Sequence, residues 1–321
     1  MAYRPPSKEF WKGRVDGPHA NRIHEAVQLI DMQNISQEPF PGTLAFGFIG
    51  FACDEGVKRN QGNTGASHGP EAIRKALAKL PLPHTSAHYF DFGDITCENN
   101  DLEAAQAELA AAVTFLHGKG IKPLVLGGGH EVAWGHYQGI AATHQDKDIS
   151  IINFDAHFDL RPLLDGDKGT SGTSFLQMAK QAERRGKPFH YTCFGIQETG
   201  NTLNLFDAAA QLKVKYVTAD VFHLGETEPA LELLDDVLSQ ADIVYATICL
   251  DVFAAPFAPG VSAPQPLGLL PWHVIPLLER LAASGKVAGL DIAELCPARD
   301  REGVTAQLAA SLLFQFMSKS V

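Results

Sequence analysis

Short runs of apolar, β-branched and aromatic residues recur along the chain at 44–51 (LAFGFIGF), 123–126 (PLVL), 149–154 (ISIINF), 190–195, 214–218, 243–250 (IVYATICL) and 287–291. Continuous apolar runs of this length suit strands buried on both faces, as in parallel sheets. Helical signals separate them. Pro70 precedes Ile73, Leu77 and Leu80, Asp101 to His117 is closed by Gly118, and 271–284 is closed by Gly285, with further helical patterns at 202–213 and 228–239. Proline in a first turn and glycine just past a last one are the expected punctuation of helices. The alternation predicts an α/β fold with a central, mostly parallel sheet covered by helices on both faces. No Gly/Ser linker or internal repeat divides the chain, so residues 1–321 read as a single domain. The apolar segment Thr305–Met317 is suited to packing either inside the molecule or against a neighbour.

Composition narrows the function. With 45% hydrophobic and 20% charged residues the chain reads as a soluble globular protein, and a net charge of −11 repels phosphate and anionic lipid, arguing against nucleic acid and membrane partners. Five cysteines with no CxxC spacing suggest reduced thiols rather than a disulfide framework. The polar start, MAYRPPSKEFWKGR, lacks the apolar core of an export signal, so a cytoplasmic location is expected. Val252–Trp272 is uncharged and long enough to span a bilayer, but its five prolines make it a structured loop.

In α/β sheets functional groups gather just beyond the carboxyl ends of strands. There the sequence places Gly127-Gly128-Gly129-His130-Glu131, Asp155-Ala156-His157-Phe158-Asp159, Cys249-Leu250-Asp251, and Asp291 with Glu294. If 155–159 is extended, its two-residue period turns Asp155, His157 and Asp159 to one side as a chelating face. Two carboxylates and an imidazole suit Mn²⁺, Fe²⁺ or Zn²⁺ better than Ca²⁺. The three glycines match neither GxxxxGK[ST] nor GxGxxG, which disfavours phosphate binding. They suit a close backbone approach that delivers the His130 imidazole to the same cluster.

GGGHE (127–131), DAHFD (155–159), TICLDVFAAPFAPGVSAP (247–264) and GLDIAELCP (289–297), with NTGASHGPEAIR (63–74) upstream, resemble in order and composition the signature regions of the ureohydrolase family of arginases and agmatinases. GGGHE, DAHFDLRP and SGTSF together are most similar to its formimidoylglutamase branch, which acts in histidine degradation. The resemblance implies an arginase-like three-layer α/β/α fold. It also implies two Mn²⁺ per subunit and a bridging hydroxide that attacks a C=N carbon, releasing glutamate and formamide from N-formimidoyl-L-glutamate. It assigns metal ligation to His130, Asp155, His157, Asp159 and Asp251, with Asp155 bridging. Members of the family are often trimers or hexamers, so the resemblance implies a possible homo-oligomer.

Two positions depart from the family pattern. The third motif is normally DxD, and here Cys249 takes the first place. A thiolate there preserves the negative charge as a metal ligand, yet its softness favours Zn²⁺ or Fe²⁺ over Mn²⁺ and puts the second metal in question. The alternative is an inert buried thiol. Ser171 stands where arginases carry a proton-shuttling histidine, so protonation of the leaving group falls to Asp159 or to the water network at the metals. The substrate, with a cationic formamidine at one end and two carboxylates at the other, calls for a bipolar site. Glu294 matches the family's cation-holding glutamate, and Arg161 suits bidentate carboxylate binding. Ser171 and Thr173 are expected to hydrogen-bond substrate, with Asn201, Arg59 and Asn63 as weaker candidates. The rival expectations are a guanidino-substrate enzyme such as an agmatinase or guanidinobutyrase, and a catalytically silent binding protein of the same fold.

Overall fold

The computed structural model describes residues 3–17, 21–34, 44–225 and 227–321. Within them one sheet collects β1 (Tyr3–Arg4), β2 (Gln28–Leu29), β3 (Ala45–Ala52), β4 (His88–Thr96), β5 (Lys122–Leu126), β6 (Ile149–Phe154), β7 (His190–Ile196), β8 (Lys215–Thr218), β9 (Ile243–Cys249) and β10 (Val287–Ala293). The order is β1-β4-β3-β5-β10-β9-β6-β7-β8, with β2 alongside β4. Every pairing is parallel except β1 with β4.

Because the strands are buried on both faces, alternate residues feed two cores. Phe46 and Phe48 of β3, Ile152 and Phe154 of β6, and Val244, Ala246 and Ile248 of β9 pack beneath helices Gly69–Leu77, Glu228–Gln240, Pro271–Ala283 and Val304–Lys319. Ile49 and Phe51, Ile149 and Ile151, and Ile243 and Tyr245 face helices Leu102–Gly118, Val132–Thr143, Ser174–Arg184 and Leu203–Gln211. The result is a three-layer α/β/α sandwich. The C-terminal apolar segment lies inside: helix Val304–Lys319 packs on Pro271–Ala283 and Gly69–Leu77. Residues 253–270 form a loop stitched to itself by bridges between Phe253 and Leu269 and between Ala254 and Gln265, and Pro271 and Trp272 open helix Pro271–Ala283.

Strand β4 was not visible as an apolar run, because Asp91, Gly93 and Asp94 interrupt it. Both aspartates are buried against Arg74, which reaches Asp91 at 2.9 Å and Asp94 at 2.6 Å, and the Trp11 indole N–H donates to Asp91 at 2.7 Å. Satisfied in this way, charged residues sit in the middle of a sheet that a pattern of hydrophobicity alone would not extend to them.

Candidate metal centre and active site

Strands β5, β10, β9 and β6 are consecutive neighbours in the sheet, so the four chemistry-bearing strand ends lie side by side. After β5 the glycine turn threads between two other segments. A Cβ on Gly128 would sit 1.8 Å from the Cys53 carbonyl oxygen, and one on Gly127 would sit 2.4 Å from that of Ile292. Only glycine fits both approaches, and the Gly129 N–H donates to the Cys53 carbonyl at 3.0 Å.

His130, at the end of this turn, is held from both sides. Its Nε2 lies 3.0 Å from Thr247 Oγ1, and the single Thr247 hydroxyl proton is donated to Asp291. Thr247 must therefore accept from His130 Nε2–H, which leaves the Nδ1 lone pair facing inward. There Nδ1 meets Asp155 Oδ2 and Asp159 Oδ2, each at 2.9 Å. Three acceptors converge on one point, an arrangement that a cation satisfies. Asp291 itself is a strand residue beneath the site, taking further hydrogen bonds from Tyr245 Oη at 2.7 Å and His136 Nδ1 at 2.7 Å.

The DAHFD segment is not extended. The Asp155 carboxylate accepts the His157 N–H at 2.8 Å, turning the chain, and Asp159 adopts φ +50°. The ligand face expected from a two-residue period is built instead by a folded loop. Asn201 fixes that loop: its side chain accepts the Phe158 N–H at 3.0 Å and donates to the Ala156 carbonyl at 2.9 Å and the Gln197 carbonyl at 2.8 Å. His157 Nδ1 lies 3.2 Å from Asp251 and 3.4 Å from the second oxygen of Asp155.

Two groups of ligand atoms emerge, His130–Asp155–Cys249 and Asp155–His157–Asp251, with Asp155 common to both. Asp159 falls within neither group and joins through His130 at the rim, its side chain 13% exposed against 1% for Asp155. The donor set fits divalent metal on two further counts. Asp251 Oδ1 is buried without a hydrogen-bond partner among the described residues. Burial and the neighbouring Asp155, Asp251 and Glu294 carboxylates push the Cys249 thiol well above its ordinary value, so an adjacent cation is what would make it a thiolate.

Above these groups lies a cavity of about 210 Å³ lined by His130, His157, Asp159, Cys249, Asp251 and Glu294 on its floor and by Arg161 and Ser171 on its wall. Glu294, at φ +73°, accepts the His130 backbone N–H at 2.8 Å. Two non-glycine residues in left-handed conformation, Asp159 and Glu294, thus flank one histidine, the kind of backbone strain found at functional sites. The Arg161 side chain crosses Gly172, where a Cβ would lie 2.8 Å from its Cδ, and its guanidinium has no carboxylate or hydrogen-bond partner among the described residues. Ser171 Oγ accepts from Asn60 Nδ2 at 3.1 Å, leaving its proton free to donate.

Four expected substrate contacts are not brought to the cavity. Thr173 is fully buried in the turn before helix Ser174–Arg184, its hydroxyl engaged with Thr170 and Gln177. Asn201 is consumed in bracing the 155–159 loop. Arg59 is paired with Glu103 at 2.7 Å, and Asn63 bonds Ser262 and Arg299. Conversely Asn60, Ser262 and Gly200 line the cavity and were not singled out. Their local sequence carries no titratable or metal-binding signature; only the position of Asn60 just before the 63–74 motif and of Ser262 within 247–264 pointed at them.

A parallel sheet that gathers carboxylates, imidazoles and a thiol over four adjacent strand ends defines the class the motifs suggested. The chain belongs to the arginase family, whose model matches residues 44–318. It is 46% identical to a formimidoylglutamase of Legionella pneumophila (strain Paris), over 98% of this chain and 97% of that one. It is 42% identical to a formimidoylglutamase of Clostridium tetani, covering 97% and 94%. In fold it resembles the formimidoylglutamase of Bacillus subtilis, with a TM-score of 0.80 at 22% identity over 95% and 94% of the two chains. A Trypanosoma cruzi formiminoglutamase solved with Mn²⁺ gives 0.77 at 24% identity over 86% and 93%. Among the described residues no helix is long and apolar enough to cross a membrane.

Proposed function

We propose that this chain is a cytoplasmic formimidoylglutamase, hydrolysing N-formimidoyl-L-glutamate to L-glutamate and formamide with two Mn²⁺ ions per subunit. Residues 1–321 act as one ureohydrolase-like domain, in keeping with the single sheet that runs from Tyr3 to Ala293. The observation that carries the substrate reading is the polarity of the cavity, in which buried Glu294 and the ligand carboxylates face the exposed Arg161 guanidinium, unpaired among the described residues. The near full-length relatives named formimidoylglutamase support the same reading.

His130, Asp155 and Cys249 would hold one ion and Asp155, His157 and Asp251 the other, with Asp159 beside His130 as a further ligand. Bound there, Mn²⁺ supplies Lewis acidity that brings the pKa of water toward neutrality. The chain's own groups do the rest. Glu294 pairs with the formamidinium and sets its carbon above the ligand floor. Arg161 binds the substrate carboxylates, with the free Ser171 proton as a second donor. Asp159, more exposed than Asp155 or Asp251, carries the proton from the attacking water to the glutamate nitrogen as the C–N bond breaks. Water adds across that bond, so the products are one glutamate and one formamide.

A substrate panel tests the reading. Formimidoylglutamate should be turned over with a kcat/KM at least roughly 100-fold above agmatine, 4-guanidinobutyrate and arginine, about the discrimination that a misfitted substrate group in a pocket produces. Preference for a guanidino compound would replace the proposal with an agmatinase or guanidinobutyrase activity. Metal binding without turnover of any of the four would indicate a silent binding protein.

A further inference from the structure

Behind the glycine turn, two thiols that the proposed reaction does not use face each other. Cys53 follows β3 and Cys97 follows β4, and the ladder of these neighbouring parallel strands ends with Ala52 opposite Thr96, so each cysteine stands one residue past the same end of it. Neighbouring strands lie about 4.8 Å apart, inside the roughly 4.4–6.8 Å range of Cα separations that a disulfide spans. The Cys53 thiol donates to Glu131 Oε1 at 3.9 Å, and the Cys97 side chain is its electrostatic neighbour. Both line a cavity of about 460 Å³ at the surface, distinct from the one above the ligand groups, where Cys97 is half-buried and Cys53 lies behind it.

We propose that Cys53 and Cys97 form a redox pair that a hydroperoxide converts to a disulfide. The reachable Cys97 sulfur attacks the peroxide, the O–O bond breaks, and Cys97 becomes a sulfenic acid as water or an alcohol departs. The Cys53 sulfur then attacks Cys97; the S–S bond forms, the S–O bond breaks, and the oxygen leaves as water with the Cys53 proton. Two thiols are oxidised and one peroxide is reduced by two electrons. The adjacent Cys53 side chain holds Cys97 below the ordinary thiol range, which favours the nucleophilic thiolate at the more accessible sulfur. The other three cysteines lack such a partner: Cys193 lies against the Asp155 and His157 carbonyls, Cys296 against the Thr64 carbonyl, and Cys249 belongs to the ligand groups.

The test is peptide mapping without reduction after brief treatment of the full-length, Mn²⁺-loaded protein with a small excess of tert-butyl hydroperoxide. The expected result is loss of two of the five free thiols, a mass lower by two hydrogens, and a cross-linked peptide carrying Cys53 and Cys97 that dithiothreitol separates. C97S should yield no cross-link to Cys53, and C53S should leave Cys97 as a sulfenic acid that dimedone captures. Cys97 is half-buried, so C97S keeps the experiment informative if C53S does not fold. Persistence of all five thiols, a bond joining any other pair, or Cys97 carried to sulfinic acid while Cys53 remains a thiol would overturn the proposal.

Discussion

Replacing Thr247 with valine probes how His130 is prepared for metal. The two side chains have nearly the same shape and both suit a buried strand, so the change removes a hydroxyl and little else. That hydroxyl is the acceptor for His130 Nε2 at 3.0 Å and a donor to Asp291, both fully buried. Asp291 retains Tyr245 and His136 on its other oxygen, each at 2.7 Å, while its Oδ1 loses the Thr247 donor. His130 Nε2 is left with no acceptor. His130 Nε2–H and Asp291 Oδ1 are then both unsatisfied, and each such buried group costs about 1–3 kcal/mol of folding stability. Losing the group that fixes a ligand histidine's tautomer weakens metal affinity by roughly 10–100-fold, or about 1.4–2.7 kcal/mol. Manganese titration followed by calorimetry, alongside urea unfolding of the metal-free protein, measures both. T247S, which keeps the hydroxyl, should fall close to wild type. If T247V binds manganese within about twofold of wild type, the Thr247 hydroxyl does not set the His130 tautomer and the reasoning fails.

Three further outcomes follow from the same geometry. R161A should raise KM for formimidoylglutamate roughly 10–100-fold with kcat little changed, because it removes a charge-assisted contact distant from the reacting carbon; an unchanged KM would remove Arg161 from the site. G128A should fail to assemble the His130 turn, since its Cβ would meet the Cys53 carbonyl oxygen at 1.8 Å, and a soluble, metal-binding G128A protein would contradict the close approach. Burial, with the His136 and His144 charges adding to it, pushes His117 down to about 3. The folded protein therefore keeps His117 neutral while the unfolded chain takes up a proton near pH 6.5, so this contribution is complete above about pH 6.5 and lost progressively as pH falls toward 3. In H117L the decline in urea midpoint from about pH 7 to about pH 4 should be shallower than in wild type, and an equal slope would count against His117 as its source.

Much of this architecture is legible in the residues because the strands are fully buried. Runs such as IVYATICL and ISIINF have no competing interpretation once glycine and proline bound them, and the chemistry sits at their carboxyl ends where α/β topology puts it. What escaped detection escaped for identifiable reasons. Strand His88–Thr96 carries two aspartates whose burial is made possible by Arg74, some 17 and 20 residues earlier, a pairing that no local pattern contains. Helix Val132–Thr143 is buried around most of its circumference, Gly135 and Gly139 included, and so shows no amphipathic period. At the site, residue type identified the candidate ligands, whereas the substrate contacts depended on three-dimensional bracing. Thr173 and Asn201 have the right chemistry, yet their polar atoms are spent within the loops they hold. Asn60 and Ser262 have ordinary chemistry and reach the cavity only through the folding of those loops.

Cys249 is the residue on which the metal centre turns, since it shares a ligand group with His130 and Asp155 where the family pattern has an aspartate. The most direct measurement is formamide and glutamate release from N-formimidoyl-L-glutamate by the Mn²⁺-loaded protein, with elemental analysis of the same sample and of C249D. Turnover by the wild type with about two manganese ions per chain, as a binuclear hydrolytic site requires, is the predicted result. One ion or fewer and no turnover in the wild type, with activity appearing only in C249D, would contradict it and mark Cys249 as a residue that disables the site.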